Sequence, residues 1–558
     1  MTYSEQTIKT EVLIIGSGIA GSFAAIRARE LGAEVLVVDQ GEAGFVGRSS
    51  TGTNINRVVL PEDDHEAALR GSVLQLDYML DQEYAEECIN ESYDRFQEIL
   101  AMGGDYERNW DGSIKWMMME TDVAGFKQRQ AIWSPFGSYK HLHKFVTTAK
   151  AAGAKFRNRT LITELLTKDG RCVGAVGIDV RTGEFLTIQA KAVVLCTADY
   201  HAAGCNNIGH TGDGMGMALR AGAQLRGMEF GRICFGAIWP SYGEQQISAN
   251  ERMARTYRNT SQKVRIINAL GEEFCEKYEW TRTMPDRMVG GPSWKNYIPA
   301  IMKEVKEGRG PVFYEVNGMK FEVGFSQRAS AQTGGVKIDK HGVTTVPGLF
   351  AGGNGSDMCG GMHFSIPYNL MGSCFTGRRS GESAVQYAKE HDYVEPDAAQ
   401  VAKYKAEAYA PIDRGVGLTE AEVRCKMIEI WPYMDYRTEE TLTTAYNAFR
   451  DLEVEAAGLK CKDDVHELAK CLKIRNVIQL GQAQALAARE RRESRIEHYR
   501  ADYPYMDNKN YAKWVVVSGV GDAMHAELLD IPFERYKYRP EEEIVDRCAP
   551  AKKEGGQV

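Results

Sequence analysis

Gly16, Gly18 and Gly21 stand in the order GSGIAG directly after the apolar run EVLII, and Asp39 closes a second apolar run, VLVVD, 18 positions beyond Gly21. That spacing carries a chemistry. Gly16 permits a tight turn after a strand, Gly18 lets the backbone approach a pyrophosphate, and Gly21 lets the next helix pack closely on a sheet. A carboxylate at the end of the second strand accepts hydrogen bonds from an adenosine ribose. With Ala20 and Gln40 these residues form a dinucleotide-binding fingerprint, and by itself it leaves NAD and FAD both open.

The elements that must position such a ligand recur along the chain. In AKAVVLCTADY a buried strand, Val193–Leu195, ends on the small residues Cys196, Thr197 and Ala198. TGDGMGMALRAGAQLRGMEF follows, a glycine loop with Asp213 and then a helix to about Ala221. VPGLFAGGNGSDMCGGMHFSIPYNLMGS repeats the logic with Gly353 and Asn354 and reaches Asn369 before the next helix. The residues Ser49, Ser50, Thr51 and Gly52 of RSSTGTNIN either set backbone N–H groups against a cofactor or form a surface loop. Three glycine-lined contacts on one chain point to a large, extended ligand, which favours FAD.

Between these segments the pattern changes. Residues 161–190 alternate and carry turn pairs at Asp169-Gly170 and Thr182-Gly183, as in an antiparallel meander. The charged stretch before Glu120 reads as helices, with Leu74, Leu76, Met79 and Leu80 covering a core. A segment rich in Arg, Trp and Met interrupts the glycine rhythm, and helix formers dominate after about Pro396. The expected organisation is an α/β fold with α+β insertions. A FAD-binding domain occupies 1–233 and 326–395, a further domain is inserted between its halves at 234–325, a helical domain spans 396–530 and a polar tail spans 531–558.

At 558 residues, 43% hydrophobic and 26% charged, the chain has the composition of a soluble protein with more than one packed unit. A formal charge of -8 offers no broad attraction for nucleic acid. No run approaches a membrane span and the N-terminus lacks the order of a signal peptide, so the expected compartment is the cytoplasm. The 12 cysteines include no CxxC spacing, so neither a metal site nor an iron–sulfur cluster of the chain's own is expected.

The order of GSGIAG with Asp39, AVVLCTAD, HTGDGMGMALRAGAQLRGMEF, GGV with PGLFAGGN, and RRESRIEHYRADYP resembles the fumarate reductase, succinate dehydrogenase and L-aspartate oxidase flavoprotein superfamily over essentially the whole chain. RSS, the histidine loop after PGLFAGGN and the lysine- and tyrosine-rich end look more like the adenylylsulfate reductase alpha subunit. The resemblance implies a two-dinucleotide-type FAD-binding domain, a capping domain with the flavin beneath it, a C-terminal helical domain and an iron–sulfur, ferredoxin-like partner in a hetero-oligomer. Covalent members bond flavin through a histidine in the loop that corresponds to RSSTGTNIN; none stands there, so non-covalent FAD is expected. Where fumarate reductases carry their dicarboxylate motifs, this chain reads GRICFGAIWP, NTSQKVRIIN and SAQTGG. Fumarate or succinate chemistry therefore does not follow, because it needs a cluster of fixed cations and a positioned acid.

By the same resemblance His363 lies beside the flavin ring, either as general acid/base or hydrogen-bond donor, or as a histidine satisfied by its loop. Tyr368 and Asn369 on that loop either orient substrate and flavin or pack the loop. Arg232 and Cys234, where the chain leaves MEF for the capping segment, either line the substrate cavity or serve as a hinge ion pair and core filler. Arg265, Arg282 and Arg287 are further cationic candidates. Arg495, His498 and Arg500 stand in ESRIEHYR, where the spacing sets Arg495 and His498 on one helix face; the resemblance implies the active-site rim, and the alternative is a solvated ion-pair network. The expected activity is two-electron transfer between a small polar substrate and the iron–sulfur partner. The alternatives are a stand-alone flavin oxidase or reductase and an electron-relay subunit without a substrate of its own.

Overall fold

The computed structural model describes residues 3–51, 55–120, 127–132, 138–200, 211–230, 234–239, 265–274, 300–301, 303–316, 318–326, 334–358, 370–462, 464–496 and 498–546. Its first unit is the strand, helix and strand read from the glycine pattern: β1 (Glu5–Ile15), α1 (Ile19–Glu30) and β2 (Val35–Val38). Along β1 alternate residues enter different cores. Leu13 and Ile15 join one cluster, while Val12 and Ile14 join another with Ala20, Ala24, Ala25 and Ala28 of α1, the period-two division of a strand covered on both faces.

Before the next strand of this sheet the chain makes a short helix α2 (Arg48–Thr51), a strand β3 (Ile55–Val58) and three helices, α3 (His65–Gln75), α4 (Gln82–Asn90) and α5 (Ser92–Ala101). Asp64 and Asp81 cap α3 and α4 through side-chain oxygens that accept the N–H groups of Ala67 and Tyr84. Strands β4 (Trp116–Glu120) and β5 (Lys127–Ile132) pair with β3, and α6 (Ser138–Ala151) returns to β6 (Lys155–Arg157).

The expected meander is present as β7 (Thr160–Lys168), β8 (Arg171–Asp179) and β9 (Phe185–Leu195). Asp169 and Gly170 turn the first pair at φ 51° and 75°, the conformation that suits a tight hairpin. Helix α7 (Asp213–Arg220) and the short β10 (Leu225–Arg226) follow. The described strands of the next region, β11 (Cys234–Trp239), β12 (Arg265–Ile267), β13 (Val312–Val316) and β14 (Met319–Ser326), form a sheet of their own in the order β11-β14-β13-β12.

The chain then re-enters the first unit through β15 (Gly335–Val336), β16 (Leu349–Ala351) and α8 (Leu370–Glu390). The large sheet runs β6-β2-β1-β9-β8-β7, with β16 also beside β9. Strands β6, β2, β1, β9 and β16 are parallel, and the register sets Ile15, Val38, Leu195 and Ala351 in one row. Helices α9 (Ala398–Asp413), α10 (Glu420–Ile430), α11 (Pro432–Asp435), α12 (Glu439–Ala456) and α13 (Val465–Glu490) come next. Helical structure gives way after Glu490 to β17 (Met506–Asp507), the short α14 (Asn508–Tyr511), β18 (Lys513–Ser518), β19 (His525–Asp530) and β20 (Ile544–Val545). Strands β18 and β19 complete a sheet with β10 and β15, so the last quarter of the chain is hydrogen-bonded into the first unit. No helix among the described residues is long and apolar enough to cross a membrane.

Two local expectations are corrected. Leu76, Met79 and Leu80 are buried, but they lie beyond the end of α3, and Leu74 is only half-buried. Asp77 and Tyr78 take positive φ, 46° and 68°, and end the helix there. Asp77 is held in that turn as an acceptor, through its carbonyl for Arg495 and through its carboxylate for the Ile496 N–H. The second correction is that Arg495 and His498 are not on a helix face. They exchange backbone hydrogen bonds across a tight turn, Arg495 N–H to His498 O at 2.8 Å and His498 N–H to Arg495 O at 2.9 Å. Nor is the cluster solvated: Arg495 and Arg500 are 0% exposed. Arg491 and Arg495 share the carboxylate of Glu493, and i, i+2, i+4 positions share a side in extended chain but not on a helix.

Candidate FAD site and a buried charged cluster

The row Ile15, Val38, Leu195 and Ala351 ends four parallel strands on one edge, so Gly16, Asp39, Cys196 and Gly352 all emerge there. That edge is where doubly wound sheets bind ligands. The close approach is tightest at the glycines. A Cβ on Gly16, whose φ is 101°, would sit 2.2 Å from the Cys196 carbonyl oxygen, and one on Gly21 would sit 1.9 Å from the Gly16 oxygen. Gly353 would meet Ala20, Gly355 the Ala198 oxygen and Gly214 the Thr197 hydroxyl. Glycine segments from near residues 16, 198, 214 and 353 therefore touch, as a single cradle requires.

Helix α1 begins at this cradle with no side-chain cap on Gly18 and no acidic residue in its first turn. One N–H, that of Ile19, is taken by the Ser49 hydroxyl at 3.2 Å. The arrangement suits a pyrophosphate, whose charge complements the N–H groups and the helix dipole. Asp39 is buried; one carboxylate oxygen accepts from the Ser17 N–H at 2.8 Å and hydroxyl at 2.7 Å, and the other from the Gly41 N–H at 2.9 Å. A carboxylate offers about four acceptor positions, so Asp39 both holds the glycine turn and retains room for a ribose hydroxyl. Asp39→Ala is expected to lower FAD affinity about ten- to a hundredfold, the equivalent of ~1.5–3 kcal/mol for lost charge-assisted bonds. Titration of apoprotein with FAD, followed by flavin fluorescence, reads this directly.

The remaining cofactor candidates have definite places. Thr197 accepts the Gly214 N–H at 3.0 Å, and Ala198 has φ 64°. Asp213, at the start of α7, accepts from the Thr211 hydroxyl at 2.7 Å and from Asn476 at 2.8 Å. Gln40 is exposed and accepts from Lys473 at 2.9 Å. Asn354 is half-buried on the turn after β16, and Ser50 donates to the Gly47 oxygen at 2.7 Å. Thr51 closes α2, but its side chain, like Gly52 and Asn369, lies outside what is described. Burial pushes the Cys196 thiol up to about 12, which keeps it a neutral wall of the cradle.

Sequence reasoning missed the supports from the far end of the chain. Lys473 and Asn476 both come from α13, separated in sequence by 433 and 263 residues from the side chains they hold. No local pattern in a helix otherwise read as core could have marked them.

Of the catalytic candidates, His363, Tyr368 and Arg232 lie outside the described residues, as do Arg282 and Arg287; Cys234 opens β11. Arg265 is exposed and ion-paired to Glu273 at 3.3 Å and Glu315 at 2.6 Å. What the structure does describe here is a buried cluster around the MEF segment. Glu229, 0% exposed, accepts from Arg491 Nε at 2.9 Å, while its carbonyl accepts from Arg437 at 2.8 Å. Arg491 also donates to Glu493 at 2.7 Å and to the carbonyls of Tyr511 and Lys513. Arg495 grips Glu493 through two bonds, of 2.6 and 2.9 Å.

Arg437 also donates to His498 Nδ1 at 2.6 Å, and His498 Nε2 donates to the Arg491 carbonyl at 3.0 Å. Arginine can only donate, so this histidine is neutral with its proton on Nε2. Burial foremost, and the guanidiniums of Arg437, Arg500 and Arg491, hold its pKa well below 6.5. Burial likewise lowers His141 to about 4. Both folded-state values are depressed, so below about pH 6.5 the unfolded chain takes protons that the folded chain refuses, and stability present above that pH is lost as pH falls. Thermal midpoints should therefore drop between about pH 6.5 and pH 5, with each histidine contributing at most ~1.4 kcal/mol per pH unit. His498→Gln should flatten part of that slope; an unchanged profile would mean that the fold does not depress the His498 pKa.

Comparison with known proteins agrees with this geometry. A family profile described as an FAD binding domain matches residues 11–374, and one described as the C-terminal part of fumarate reductase flavoprotein matches residues 433–544. The 8-methylmenaquinol:fumarate reductase flavoprotein subunit of Wolinella succinogenes is 24% identical over 559 residues, covering 91% of this chain and 88% of that one. Among solved structures, Escherichia coli quinol fumarate reductase superposes with a TM-score of 0.82 at 20% identity, over 96% of this chain and 99% of the other. Adenylylsulfate reductase of Archaeoglobus fulgidus superposes with a TM-score of 0.74 at 19% identity, over 96% and 98%. Both share this chain's fold, the first with the higher TM-score of the two.

Proposed function

This chain belongs to the FAD-binding flavoprotein family and is an FAD-dependent oxidoreductase, and from that premise we propose that it is the cytoplasmic flavoprotein subunit of a heteromeric enzyme. Its reaction in this reading is two-electron exchange between a small polar substrate and an iron–sulfur partner. The observation that carries the proposal is a cradle built for FAD in a chain without cluster spacing among its cysteines. Among the described residues no group of three or more His, Cys, Asp or Glu is placed to hold a metal ion. FAD supplies the two-electron chemistry, a hydride given or taken at the flavin ring. Passing those electrons on singly requires carriers that a second chain would bring.

The protein's own residues bind and orient FAD through the cradle. His363 is assigned the proton at the reacting face, with Tyr368 orienting and Arg232 and Cys234 at the mouth of the substrate cavity. The substrate differs from fumarate and succinate, because GRICFGAIWP, NTSQKVRIIN and SAQTGG replace the motifs that grip two carboxylates. A relative named as a flavoprotein subunit supports the heteromer. FAD is held without a covalent bond, so acid precipitation should release it.

The test is the visible spectrum of protein isolated without oxygen from its own cells, together with the identity of the chains that travel with it. Broad iron–sulfur absorbance under the flavin bands, with a small cysteine-rich chain, supports the proposal. Flavin bands on a solitary chain overturn it in favour of a soluble oxidase or reductase. In either case His363→Ala should abolish substrate-dependent flavin reduction while FAD stays bound; unchanged electron flow would mark a relay.

A further inference from the structure

Among the described cysteines, Cys461 and Cys471 come close together in the fold. Cys461 follows α12 in the connection to α13, where its N–H donates to the Pro411 carbonyl at 2.9 Å. Cys471 lies on α13 and directs its sulfur at the Lys460 carbonyl, 3.8 Å away. That carbonyl is bonded to the Cys461 nitrogen, so the two cysteine side chains lie within reach of one another. The two differ in access, since Cys471 is 4% exposed and Cys461 is partly open to solvent. A single buried thiol is inert filler, whereas two neighbouring thiols, one of them reachable, can exchange with a disulfide.

We propose that Cys461 and Cys471 are a dithiol modification site that closes reversibly to an intrachain disulfide when it meets a small-molecule disulfide. The Cys461 thiolate attacks one sulfur of the oxidant, whose S–S bond breaks and releases one thiol. Cys471 then loses its proton to solvent and attacks the Cys461 sulfur, and the mixed disulfide breaks to release a second thiol. Two protein thiols are oxidised by two electrons and one external disulfide is reduced to two thiols. Burial raises the Cys471 thiol to about 12, so Cys461 is the attacking partner and Cys471 the resolving one.

The site matters through its position. Lys473 and Asn476, which hold Gln40 and Asp213 at the cradle, lie on α13 just beyond Cys471. A disulfide would pin the preceding connection to the segment of helix that carries those contacts, in a short loop that loses chain entropy when unfolded. The oxidised holoprotein should melt a few degrees above the reduced form, and the shift should vanish in Cys461→Ser.

The direct test exposes full-length, FAD-loaded protein to oxidised glutathione, blocks the remaining thiols by alkylation and maps proteolytic fragments by mass spectrometry. The expected product joins the fragment holding Cys461 to that holding Cys471, while exposed Cys425 carries only a glutathione adduct. In Cys471→Ser the adduct should stop at Cys461. Phenylarsine oxide, which bridges paired thiols, should be retained by the wild type and by neither single variant. A glutathione adduct that persists on wild-type Cys461 without ring closure, or failure of both residues to react, overturns the proposal.

Discussion

Gly16→Ala is expected to yield a chain that folds poorly and retains little or no FAD. The added methyl group would lie 2.2 Å from the Cys196 oxygen and 2.7 Å from its carbonyl carbon, and both are backbone. A side chain can rotate away from such a contact, but here the ends of β1 and β9 must separate, and those ends carry the row from which the cradle emerges. The positive φ of 101° adds a conformational cost of ~1–2 kcal/mol to an overpacking cost of ~1–3 kcal/mol. Flavin absorbance retained after gel filtration measures the outcome. Gly32→Ala is the control, because its φ of 88° imposes similar backbone strain with nothing within 4 Å. Loss of flavin in the Gly16 variant and not in the Gly32 variant assigns the effect to the strand contact; equal flavin content in both would refute it.

Arg491→Ala should give the largest loss of stability of any single side-chain truncation in the charged cluster. Arg491 is 0% exposed and donates to Glu229, Glu493 and two carbonyls. Glu493 would keep Arg495, but Glu229 would lose the donor to its carboxylate in a site that water does not reach. Removing one partner from a buried ion pair costs ~3–5 kcal/mol, whereas replacing both with apolar groups is often close to neutral. Urea unfolding should therefore show a strong fall for Arg491→Ala and substantial recovery when Arg491→Met is combined with Glu229→Leu. A fall under ~1 kcal/mol in the single variant would show that the cluster is not needed to hold MEF against the C-terminal region.

The two results mark the boundary of what the sequence makes legible. Gly16, Gly21 and Asp39 sit within one local unit, so spacing, turn chemistry and apolar flanks together specify their arrangement. The meander after Leu161 was legible for the same reason, since Asp169 and Gly170 turn one strand directly into the next. ESRIEHYR was misread because its charges looked like a solvated helix face. The segment instead turns back on itself between Arg495 and His498, and Arg491 just before it reaches Glu229 across a separation of 262 residues. Lys473 and Asn476 were invisible for the same physical reason: a contact between distant segments leaves no periodicity in either one.

The row of four strand ends also sets an order on synthesis. A ribosome that has released Gly16, Asp39 and Thr197 has made only part of the cradle, because β16, Gly353 and the α8 residue Thr376, which accepts the Gly353 N–H at 2.8 Å, all come later. The α13 supports come later still. FAD capture is therefore a late event in the life of a nascent chain. A polypeptide stalled before Leu349 would expose the unpaired side of the last residues of β9, an apolar strand edge with no cofactor to wait for.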